Sequence, residues 1–469
     1  FGSSVPWKHI RAMYKSIPSS SDAATGRPAS DGSATLECES QPLRAKASEE
    51  TARWRLLASS VGLLADAYDI FTIDIVLLIL EFQYGDKAGS STSKSLIASA
   101  LLLGIIIGQL SFGFVGDLVG RKWAFVTTAG LTILGAATSA FVVDRTGFSL
   151  PEQLALCRFI LGIGIGGEYP LSASVTAEAV EDPEQRGFML ALVISMQGWG
   201  MLLSSVLAIV ALSLGCSLEV LWRLLLAFGA APSALAFCLR WQLHESSAFS
   251  KAREAHASPD EASRMSLIKK LWPRLLGTSL SWLLMNLSLY SLGSFKSSVL
   301  HEFMDMGDAT TPEAELRITA RFAAFISLFA IAGFLAALVM VNRMGRYWMQ
   351  LMGFAVLTVL FLMQALITSQ TSILLLGLVF FFQNFGPNTT TFIIPAEAFP
   401  TLIRASCHGI SAASGKLGAF AGTMAFPPAE AAYGMKAVYA ACAITAALGT
   451  LVTYVLTPRS PGDPDSIKD

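Results

Sequence analysis

Long apolar runs separated by short polar breaks occupy most of the chain after residue 51. A helix of about 20 apolar residues, at roughly 1.5 Å per residue, spans the hydrocarbon core of a bilayer. The alternating strands of a membrane barrel, roughly 9–11 residues long, do not match this pattern. We therefore predict an all-α membrane protein with twelve transmembrane helices in two six-helix halves. The predicted spans are residues 56–81, 94–116, 123–143, 152–177, 187–213, 218–241, 275–299, 318–341, 347–368, 372–395, 405–427 and 436–457.

Polar stretches before, between and after the two halves complete the predicted organisation. The first stretch is rich in Ser, Ala and charged residues and has no apolar periodicity, which is typical of a disordered tail. The stretch between the halves is charged and predicts a loop outside the membrane. The predicted parts are an N-terminal tail (1–52), an N-terminal half (53–243), a central loop (244–274), a C-terminal half (275–457) and a C-terminal tail (458–469).

Composition excludes several classes of protein. Hydrophobic residues make up 53% of the chain and charged residues 14%, whereas soluble domains contain roughly 25% charged residues. The net charge of −1 indicates no general attraction to nucleic acid. The six cysteines form no CxxC pair and histidine is scarce, so we expect neither a metal site nor a cofactor. The sequence shows no Walker motif and no nucleophile–His–acid set, so it does not predict an enzyme.

The distribution of Lys and Arg predicts the orientation in the membrane. Basic residues concentrate in the breaks after even-numbered spans and in the central loop, whereas the break after span seven is acidic. By the positive-inside rule, the even breaks, the tail and both termini are expected in the cytoplasm. The expected location is the plasma membrane. The basic residues of the even breaks are Arg121, Lys122, Arg186, Arg343, Arg346 and Arg404.

The two halves are weak repeats of each other. A Gly-Arg turn with Asp117 and Arg121 follows span two, and a weaker copy with Arg346 follows span eight. Repeated halves of this kind surround a central cavity in transporters. Spans four and ten each end in a glutamate followed by an arginine, which predicts two ion pairs that lock one state, Glu178–Arg186 and Glu397–Arg404. The alternative is that each charge anchors the topology without any switching.

Ionisable residues inside the spans are the candidate functional groups. Asp66 and Asp69 lie three positions apart on one face of span one, Glu168 lies in span four and Lys416 in span eleven. An ionised side chain at the centre of a span costs about 2.5–3.5 kcal/mol, so such residues normally face a cavity. These four groups together carry a charge of −2 when ionised, which would repel an anion. Protonation of a carboxylate removes that repulsion and would link anion binding to proton uptake.

Uncharged hydrogen-bond donors accompany these groups within the spans. They are Tyr169, Gln197, Trp282, Asn286, Tyr290 and Asn388. Three of them, Trp282, Asn286 and Tyr290, form one stripe along span seven at i, i+4 and i+8. Asn388 follows Pro387, which predicts a break in span ten. Hydroxyl, indole and amide donors suit a small oxyanion. The alternative is that these residues only form hydrogen bonds between packed helices.

Motifs in both halves carry a family resemblance. They are DAYDIF at 66–71, GGEYPLSA at 166–173, NFGPN at 384–388 and HGISAASGK at 408–416. Three further stretches, at 117–122, 158–167 and 395–404, resemble motifs of the major facilitator superfamily. Within that superfamily, the chain is similar to the phosphate:proton symporters of fungi and plants over about residues 60–455.

The resemblance implies a secondary active transporter that carries inorganic phosphate by proton symport with alternating access. The implied partners are phosphate, protons and the lipid bilayer, without nucleic acid, and we expect a functional monomer. We expect substrate binding by Tyr169, Gln197, Trp282, Asn286, Tyr290, Asn388 and Lys416. We expect proton coupling by Asp66, Asp69 and Glu168. The expected gating residues are Asp117, Arg121, Arg158, Glu178, Arg186, Glu397 and Arg404.

Two departures from the family pattern bear on the substrate. Glu168 stands where the family has Asp, so the charge is kept on a side chain that is one methylene longer. Asn286 also stands where the family has Asp, and it can donate a hydrogen bond but cannot titrate. One alternative is therefore the same fold carrying an organic phosphate, another oxyanion or a carboxylate. A second alternative, supported only by the long polar tail, is a nutrient receptor without useful flux.

Overall fold

The computed structural model describes the backbone of residues 33–255, 261–294, 311–367 and 372–459, together with Asp465. The chain divides into two units, Phe1–Glu49 and Glu50–Asp469. Within the described residues, the first unit contains only the start of the first helix, and every other element belongs to the second unit. The described elements are helices, apart from an isolated antiparallel bridge between Arg145 and Phe148.

Helical backbone covers all or most of each predicted span, which confirms an all-α membrane fold with twelve spans in two groups of six. The first group consists of α1 (Ser33–Tyr84), α2 (Asp86–Gly89), α3 (Ser91–Leu118), α4 (Arg121–Ser139), α5 (Leu150–Ala177), α6 (Pro183–Ser213), α7 (Leu218–Phe228) and α8 (Ala230–Trp241). Between the groups lie α9 (Ser247–Ala255) and α10 (Glu261–Lys270). The second group consists of α11 (Trp272–Ser294), α12 (Pro312–Met340), α13 (Arg346–Leu366), α14 (Ser372–Gln383), α15 (Thr389–Ala398), α16 (Arg404–Tyr433) and α17 (Met435–Leu456).

Seven helical stretches of the described chain are long and apolar enough to cross a membrane by length and composition alone. Several of the remaining spans, such as α1, α11 and α16, carry buried polar residues that lower their mean hydropathy. These less apolar spans are therefore ones that carry candidate functional residues.

Helix α1 begins at Ser33, inside the segment predicted as an N-terminal tail (1–52), and residues 1–32 lie outside the described residues. The central loop predicted over 244–274 contains α9, α10 and the start of α11. Most of the C-terminal tail predicted over 458–469 also lies outside the described residues. The predicted domain boundaries therefore stay predictions.

Two spans are interrupted helices. Span six divides at Gly229 into α7 and α8. Span ten consists of α14, a π-helical turn over Asn384–Asn388, and α15. The sequence predicts a break at this position because Pro387 has no N–H to donate and obstructs the preceding turn. The structure instead keeps the backbone helical and widens it by one π turn, a feature that is frequent at functional sites.

Three threonines stabilise the π turn. The hydroxyl of Thr389 donates to the Asn384 carbonyl at 2.5 Å, and the hydroxyl of Thr391 donates to the Pro387 carbonyl at 2.7 Å. Thr390 donates in the same way to the carbonyl of Gly386 at 3.0 Å. Because lipid offers no hydrogen bonds, backbone groups freed by a proline must find partners inside the protein. The threonine run therefore permits the irregular turn that presents Asn388.

The halves pack against each other along two pairs of helices, α3 with α16 and α6 with α12. Small residues allow this close approach, since a Cβ on Gly409 would lie 3.4 Å from the Cα of Gly113. The largest apolar core includes Leu63 and Ile165 of the first half and Phe334 and Phe354 of the second. The polar groups between the halves are therefore enclosed by apolar packing on both sides.

Candidate functional site

Amide side chains from both halves meet across the interface. Asn388 of the π turn donates through Nδ2 to Gln197 Oε1 of α6 at 3.0 Å. The same nitrogen donates to Asn384 Oδ1 at 2.7 Å. All three side chains are buried. The structure therefore joins Gln197 and Asn388, which the sequence predicts as substrate-binding residues from different halves.

A second cluster between the halves consists of aromatic rings and a lysine. Tyr169 of α5 lies 6.5 Å from Trp282 of α11, between ring centroids, and 6.4 Å from Phe392 of α15. The Lys416 ammonium lies 5.6 Å from the centroid of the Tyr169 ring, within range of a cation–π interaction. The structure thus brings Tyr169, Trp282 and Lys416 together, although they come from three different spans.

The stripe on α11 faces the helix that carries Lys416. A Cβ on Gly415 would lie 2.5 Å from Trp282 Cδ1 and 3.0 Å from Asn286 Nδ2. Trp282 and Asn286 therefore pack side by side against α16, next to the lysine, as the spacing of four residues predicts. Tyr290 lies on the same helix, but its side chain is outside the part that the structure describes.

The carboxylate of Glu168 is held by an arginine that the sequence reasoning missed. Both terminal nitrogens of Arg240 on α8 donate to Glu168, Nη1 to Oε1 and Nη2 to Oε2. The Thr128 hydroxyl donates to Glu168 Oε1 at 3.1 Å. Glu168 and Arg240 are each only 1% exposed. This two-bond pairing is the strongest geometry for a guanidinium and a carboxylate.

Asp66 shares a cavity with this ion pair. This small space lies within the first half and has no room for a water molecule. Its lining includes Asp66, Glu168 and Arg240, together with Thr132 and Ser233. Among the described residues, Asp66 Oδ2 is buried and has no hydrogen-bond partner. Asp66 therefore faces a polar space with one carboxylate oxygen uncommitted.

Asp69 lies beside Arg158, and the gating role expected for this arginine stays a prediction. Arg158 Nη2 donates to the backbone carbonyl of Asp69 at 2.7 Å, and both side chains are buried. Arg158 lies near the start of α5, whereas Glu178 follows its last residue. Twenty helical residues separate positions by about 30 Å. Arg158 therefore belongs to the buried charges of the first half and not to the gating network around Glu178.

The two buried arginines change the balance of charge inside the first half. The three carboxylates Asp66, Asp69 and Glu168 face Arg158 and Arg240 as well as the lysine of α16. Three anions and three cations leave no net charge, in place of the −2 expected from the sequence. Electrostatic repulsion of an anion is therefore weaker than the sequence-based count implies.

The halves are bridged by ion pairs at the basic end of the bundle, defined by Arg121, Arg346 and Arg404. Glu178 of the first half pairs with Arg121 at 2.9 Å and with Arg404 of the second half at 3.6 Å. Arg121 Nη2 also donates to the Thr401 carbonyl at 2.8 Å. These groups are buried. A single glutamate therefore holds arginines of both halves.

Asp117 connects the halves by capping a helix of the other half. Its carboxylate accepts hydrogen bonds from the backbone N–H of Ser406 at 2.7 Å and of Ala405 at 3.3 Å, in the first turn of α16. The same carboxylate lies 2.9 Å from Arg121. A negative charge at a helix N-terminus satisfies free N–H groups and the helix dipole. Asp117 therefore binds α16 and orients Arg121 at the same time.

A second network at the basic end involves Arg346. Its guanidinium pairs with Glu397 at 2.9 Å and donates to the carbonyl of Pro183 in the first half at 2.7 Å. Asn342 reinforces the contact by donating to the carbonyl of Glu184 at 2.9 Å. The basic end is thus closed by bonds between the halves on two sides.

The ion pairs predicted within each half, Glu178–Arg186 and Glu397–Arg404, are wrong. Arg186 donates instead to the carbonyls of Val180 and Glu181 in its own loop. Glu178 takes Arg121 and Arg404, and Glu397 takes Arg346. The reason is that the chain turns away after the end of a helix, so a glutamate there does not meet the next arginine in the sequence. The packing of α3 on α16 instead brings Glu178 close to Arg404 of the other half.

The model of the family described as "sugar (and other) transporter" matches residues 54–464 of this chain. The chain belongs to this family. Family members are transporters, so the chain is a transporter and not an enzyme. The match covers both halves and every residue that the sequence predicts as functional.

Plant proteins named as phosphate transporters are similar over most of the length. Inorganic phosphate transporter 1-1 of Oryza sativa subsp. japonica is 31% identical, over 87% of this chain and 91% of the relative. Probable inorganic phosphate transporter 1-6 of Arabidopsis thaliana is 30% identical, over 86% and 90%. Low affinity inorganic phosphate transporter 1 of Petunia hybrida is 32% identical, over 79% and 81%.

Solved structures of a bacterial symporter have the same fold. The major facilitator superfamily proton:xylose symporter XylE bound to 6-bromo-6-deoxy-D-glucose aligns with a TM-score of 0.71 and 16% identity, over 87% of this chain and 96% of the other. XylE from E. coli in a partially occluded inward-open conformation aligns with a TM-score of 0.68 and 16% identity, over 88% and 99%. At this identity the likeness establishes the major facilitator fold alone.

Two buried residues of the site lay outside the sequence-based predictions. Arg240 sits inside predicted span 218–241, and the cost of an intramembrane charge was a signal that could have identified it. His408 lies between the rings of Trp282 and Phe392, at 5.4 Å and 5.3 Å between centroids. His408 opens the 408–416 motif, but the sequence does not show its ring contacts, because these depend on how α11 and α15 pack on α16.

Proposed function

We propose that this chain is a secondary active transporter that carries inorganic phosphate together with protons by alternating access. One observation carries the proposal: hydrogen-bond donors from both halves converge beside Lys416 and next to buried carboxylates. Relatives that are about 31% identical over most of the chain and are named inorganic phosphate transporters support this substrate.

The anion would bind among the donors at the interface. The Asn388 amide currently donates to Gln197, and a phosphate oxygen would replace Gln197 as the acceptor. The Tyr169 hydroxyl and Trp282 indole add donors, and Lys416 adds a positive charge. We assign Asn286 and Tyr290 to the same site because they continue the stripe that begins at Trp282. Since the donors belong to both halves, bound anion would hold the halves together.

Protons would enter through the buried carboxylates. When every buried group of the first half and Lys416 is ionised, the net charge is zero, and protonation of Asp66, Asp69 or Glu168 makes it +1. A positive site binds an anion better than a neutral one, so each ligand increases the affinity for the other. Proton uptake would therefore favour phosphate loading, and release of one would favour release of the other.

Alternating access would require the two networks at the basic end to break and reform. The buried pairs around Glu178 and the Arg346 network support one state, in which this end is closed. We place the basic end and both termini in the cytoplasm, since the positive-inside rule supports that orientation. We also propose that the protein acts as a monomer in the plasma membrane.

Uptake of a panel of anions by proteoliposomes tests this function. With an inward proton gradient, labelled phosphate should accumulate above the level reached without the gradient. A protonophore should abolish the difference. Phosphate uptake that is indifferent to the imposed gradient would exclude proton coupling, and an absence of phosphate uptake under all conditions would exclude the substrate.

A second candidate is the same transporter acting on an organic phosphate, another oxyanion or a carboxylate. Asn286 favours this possibility, because its uncharged amide packs against Gly415, the neighbour of Lys416. Such an amide can bind an anion without itself being protonated. Competition by these anions against labelled phosphate separates the candidates. A competitor that inhibits at lower concentration than unlabelled phosphate, and is itself accumulated, would be the preferred substrate.

A further inference from the structure

The geometry points to Arg240 as a positioning residue that holds Glu168 in a fixed ion pair throughout the transport cycle, so that Asp66, which lines the same small space, takes up the proton. This inference rests on the proposed function and gives different roles to two of the three carboxylates. Glu168 becomes a fixed part of the helix packing, and Asp66 becomes the exchangeable acid.

The first argument is the completeness of the pairing around Glu168. Both carboxylate oxygens accept from the guanidinium of Arg240, and Oε1 also accepts from the Thr128 hydroxyl. A proton on Glu168 would replace one of these bonds and leave the cation of Arg240 without its counter-charge. Removing one partner of a buried ion pair is strongly unfavourable, because the remaining charge has no water around it.

The second argument is that Arg240 is held in place by three other helices. Beyond Glu168 of α5, its Nη1 donates to the Phe125 carbonyl of α4 and its Nη2 to the Ala58 carbonyl of α1, each at 3.4 Å. Its guanidinium carbon lies 3.8 Å from the centroid of the Phe125 ring. The arginine of α8 is therefore held in place whatever the charge of the cavity.

The third argument is the fit of α1 against the pair. A Cβ at Gly62 would collide with Arg240 Nη2 and would lie 2.7 Å from Glu168 Oε2. Only glycine lets α1 approach this closely, so the ion pair and the helix are packed as one unit. This fit indicates a permanent structural contact.

The fourth argument is the contrast with Asp66, one turn further along α1. It lines the same cavity, and within the described part of the chain its Oδ2 has no hydrogen-bond partner. The charged groups that act on it are Glu168, Arg240, Asp69 and Lys416. Protonation of Asp66 breaks no bond to Oδ2 and relieves repulsion from two neighbouring carboxylates. Of the two carboxylates that line this space, Asp66 is therefore the one that takes up the proton.

A double variant in proteoliposomes tests the assignment. Glu168→Gln alone leaves Arg240 unpaired, and both phosphate exchange at equal pH and proton-driven accumulation should fall at least about tenfold. The double variant Glu168→Gln/Arg240→Gln removes both charges, so exchange and proton-driven accumulation should recover together, with the pH profile of the unmodified protein. Asp66→Asn should retain exchange but lose accumulation and pH dependence.

The opposite result would overturn the assignment. If the double variant exchanges phosphate but no longer accumulates it under a proton gradient, Glu168 carries the proton. If the double variant does not fold, Arg240→Lys decides the question: an unchanged pH profile with lower thermal stability supports a fixed pair, and a displaced profile contradicts it. Failure of the unmodified protein to accumulate phosphate would instead overturn the proposed function. The comparison of thermal stability between the variants does not depend on that function.

Discussion

Asn388 and Gln197 satisfy each other across the interface between the halves, with 3.0 Å between Asn388 Nδ2 and Gln197 Oε1. The contact joins the π turn of span ten to α6, and both amides are buried. A bound anion would compete for the Asn388 donor, so we expect this bond to break when the substrate binds.

Removing either amide should weaken phosphate binding. Gln197→Ala and Asn388→Ala each delete a hydrogen-bond donor for a charged ligand, which corresponds to about a 10- to 100-fold rise in the KM for phosphate. Initial rates of uptake in proteoliposomes measure the change. Gln153→Ala is a matched control, since this amide also donates hydrogen bonds but lies in an exposed position. Equal KM values for all three variants would contradict the proposed binding site.

Asn286→Asp should make phosphate uptake fall more steeply as the pH rises. The new carboxylate would lie beside Trp282, close to the anion, and would ionise with increasing pH. An ionised carboxylate repels the anion, whereas its protonated form does not. The pH dependence of initial uptake rates measures the effect, with Asn286→Ala as the uncharged control. The same pH profile in both variants would place Asn286 outside the site.

Glu178→Gln should open the basic end of the bundle. The change removes the negative charge that pairs with both Arg121 and Arg404, two buried arginines. We expect a shift of about tenfold or more in the equilibrium between closed and open basic ends. Pulsed EPR between spin labels at the exposed positions Glu181 and Arg343 measures the separation of the halves.

The matched control for that experiment is Glu254→Gln, which removes an exposed glutamate of α9. It should leave the distribution of distances between the labels unchanged. A distribution that is the same for Glu178→Gln and for the unmodified protein would show that the buried pairs do not hold the basic end closed.

Asp465→Asn should have a smaller effect on the same distances. This carboxylate accepts from the backbone N–H of Thr401 at 2.7 Å and lies 3.6 Å from Arg404, but its side chain is 51% exposed. Exposed pairs contribute roughly 0–1 kcal/mol and weaken with added salt. The shift should therefore be less than about fivefold and should vanish at high ionic strength. A shift in the label distances as large as that of Glu178→Gln would show that Asp465 is a main determinant of the closed basic end.

Arg158→Gln should lower proton-driven uptake without changing the separation of the spin labels. The arginine is bonded to the Asp69 carbonyl near the start of α5, remote from Glu178. Loss of its charge alters the electrostatic balance around the carboxylates, while the basic end keeps all its pairs. Wider distances between the labels in this variant would support the gating role that the sequence predicts for Arg158.

The sequence was sufficient for the spans and for the shared face of Trp282 and Asn286, because both depend on local patterns. Apolar runs of bilayer length identify helices, and the spacing of Trp282 and Asn286 places them on one face of α11. The partners of Glu178 and Glu168 could not be obtained in this way. Each pairs with an arginine that is distant in sequence, and only the packing of α3, α5, α8 and α16 decides which arginine is near.

The split of span six at Gly229 illustrates the same limit. The apolar run over 218–241 predicts one helix, and the structure ends α7 and starts α8 at this glycine. A Cβ at Gly229 would collide with Asp69 Oδ1, so the position of the joint follows from a contact with α1. A contact between spans leaves no periodic signal in either of them.

Two buried acidic groups therefore have a glycine as a neighbour on another helix: Gly229 beside Asp69, and Gly62 beside the Glu168–Arg240 pair. Neither glycine is charged or can bind a substrate through a side chain. A random mutagenesis screen for loss of growth on limiting phosphate should nevertheless recover Gly62 and Gly229 alongside the acidic residues. The positions of such mutations would point to the functional carboxylates, although glycine itself has no functional side chain.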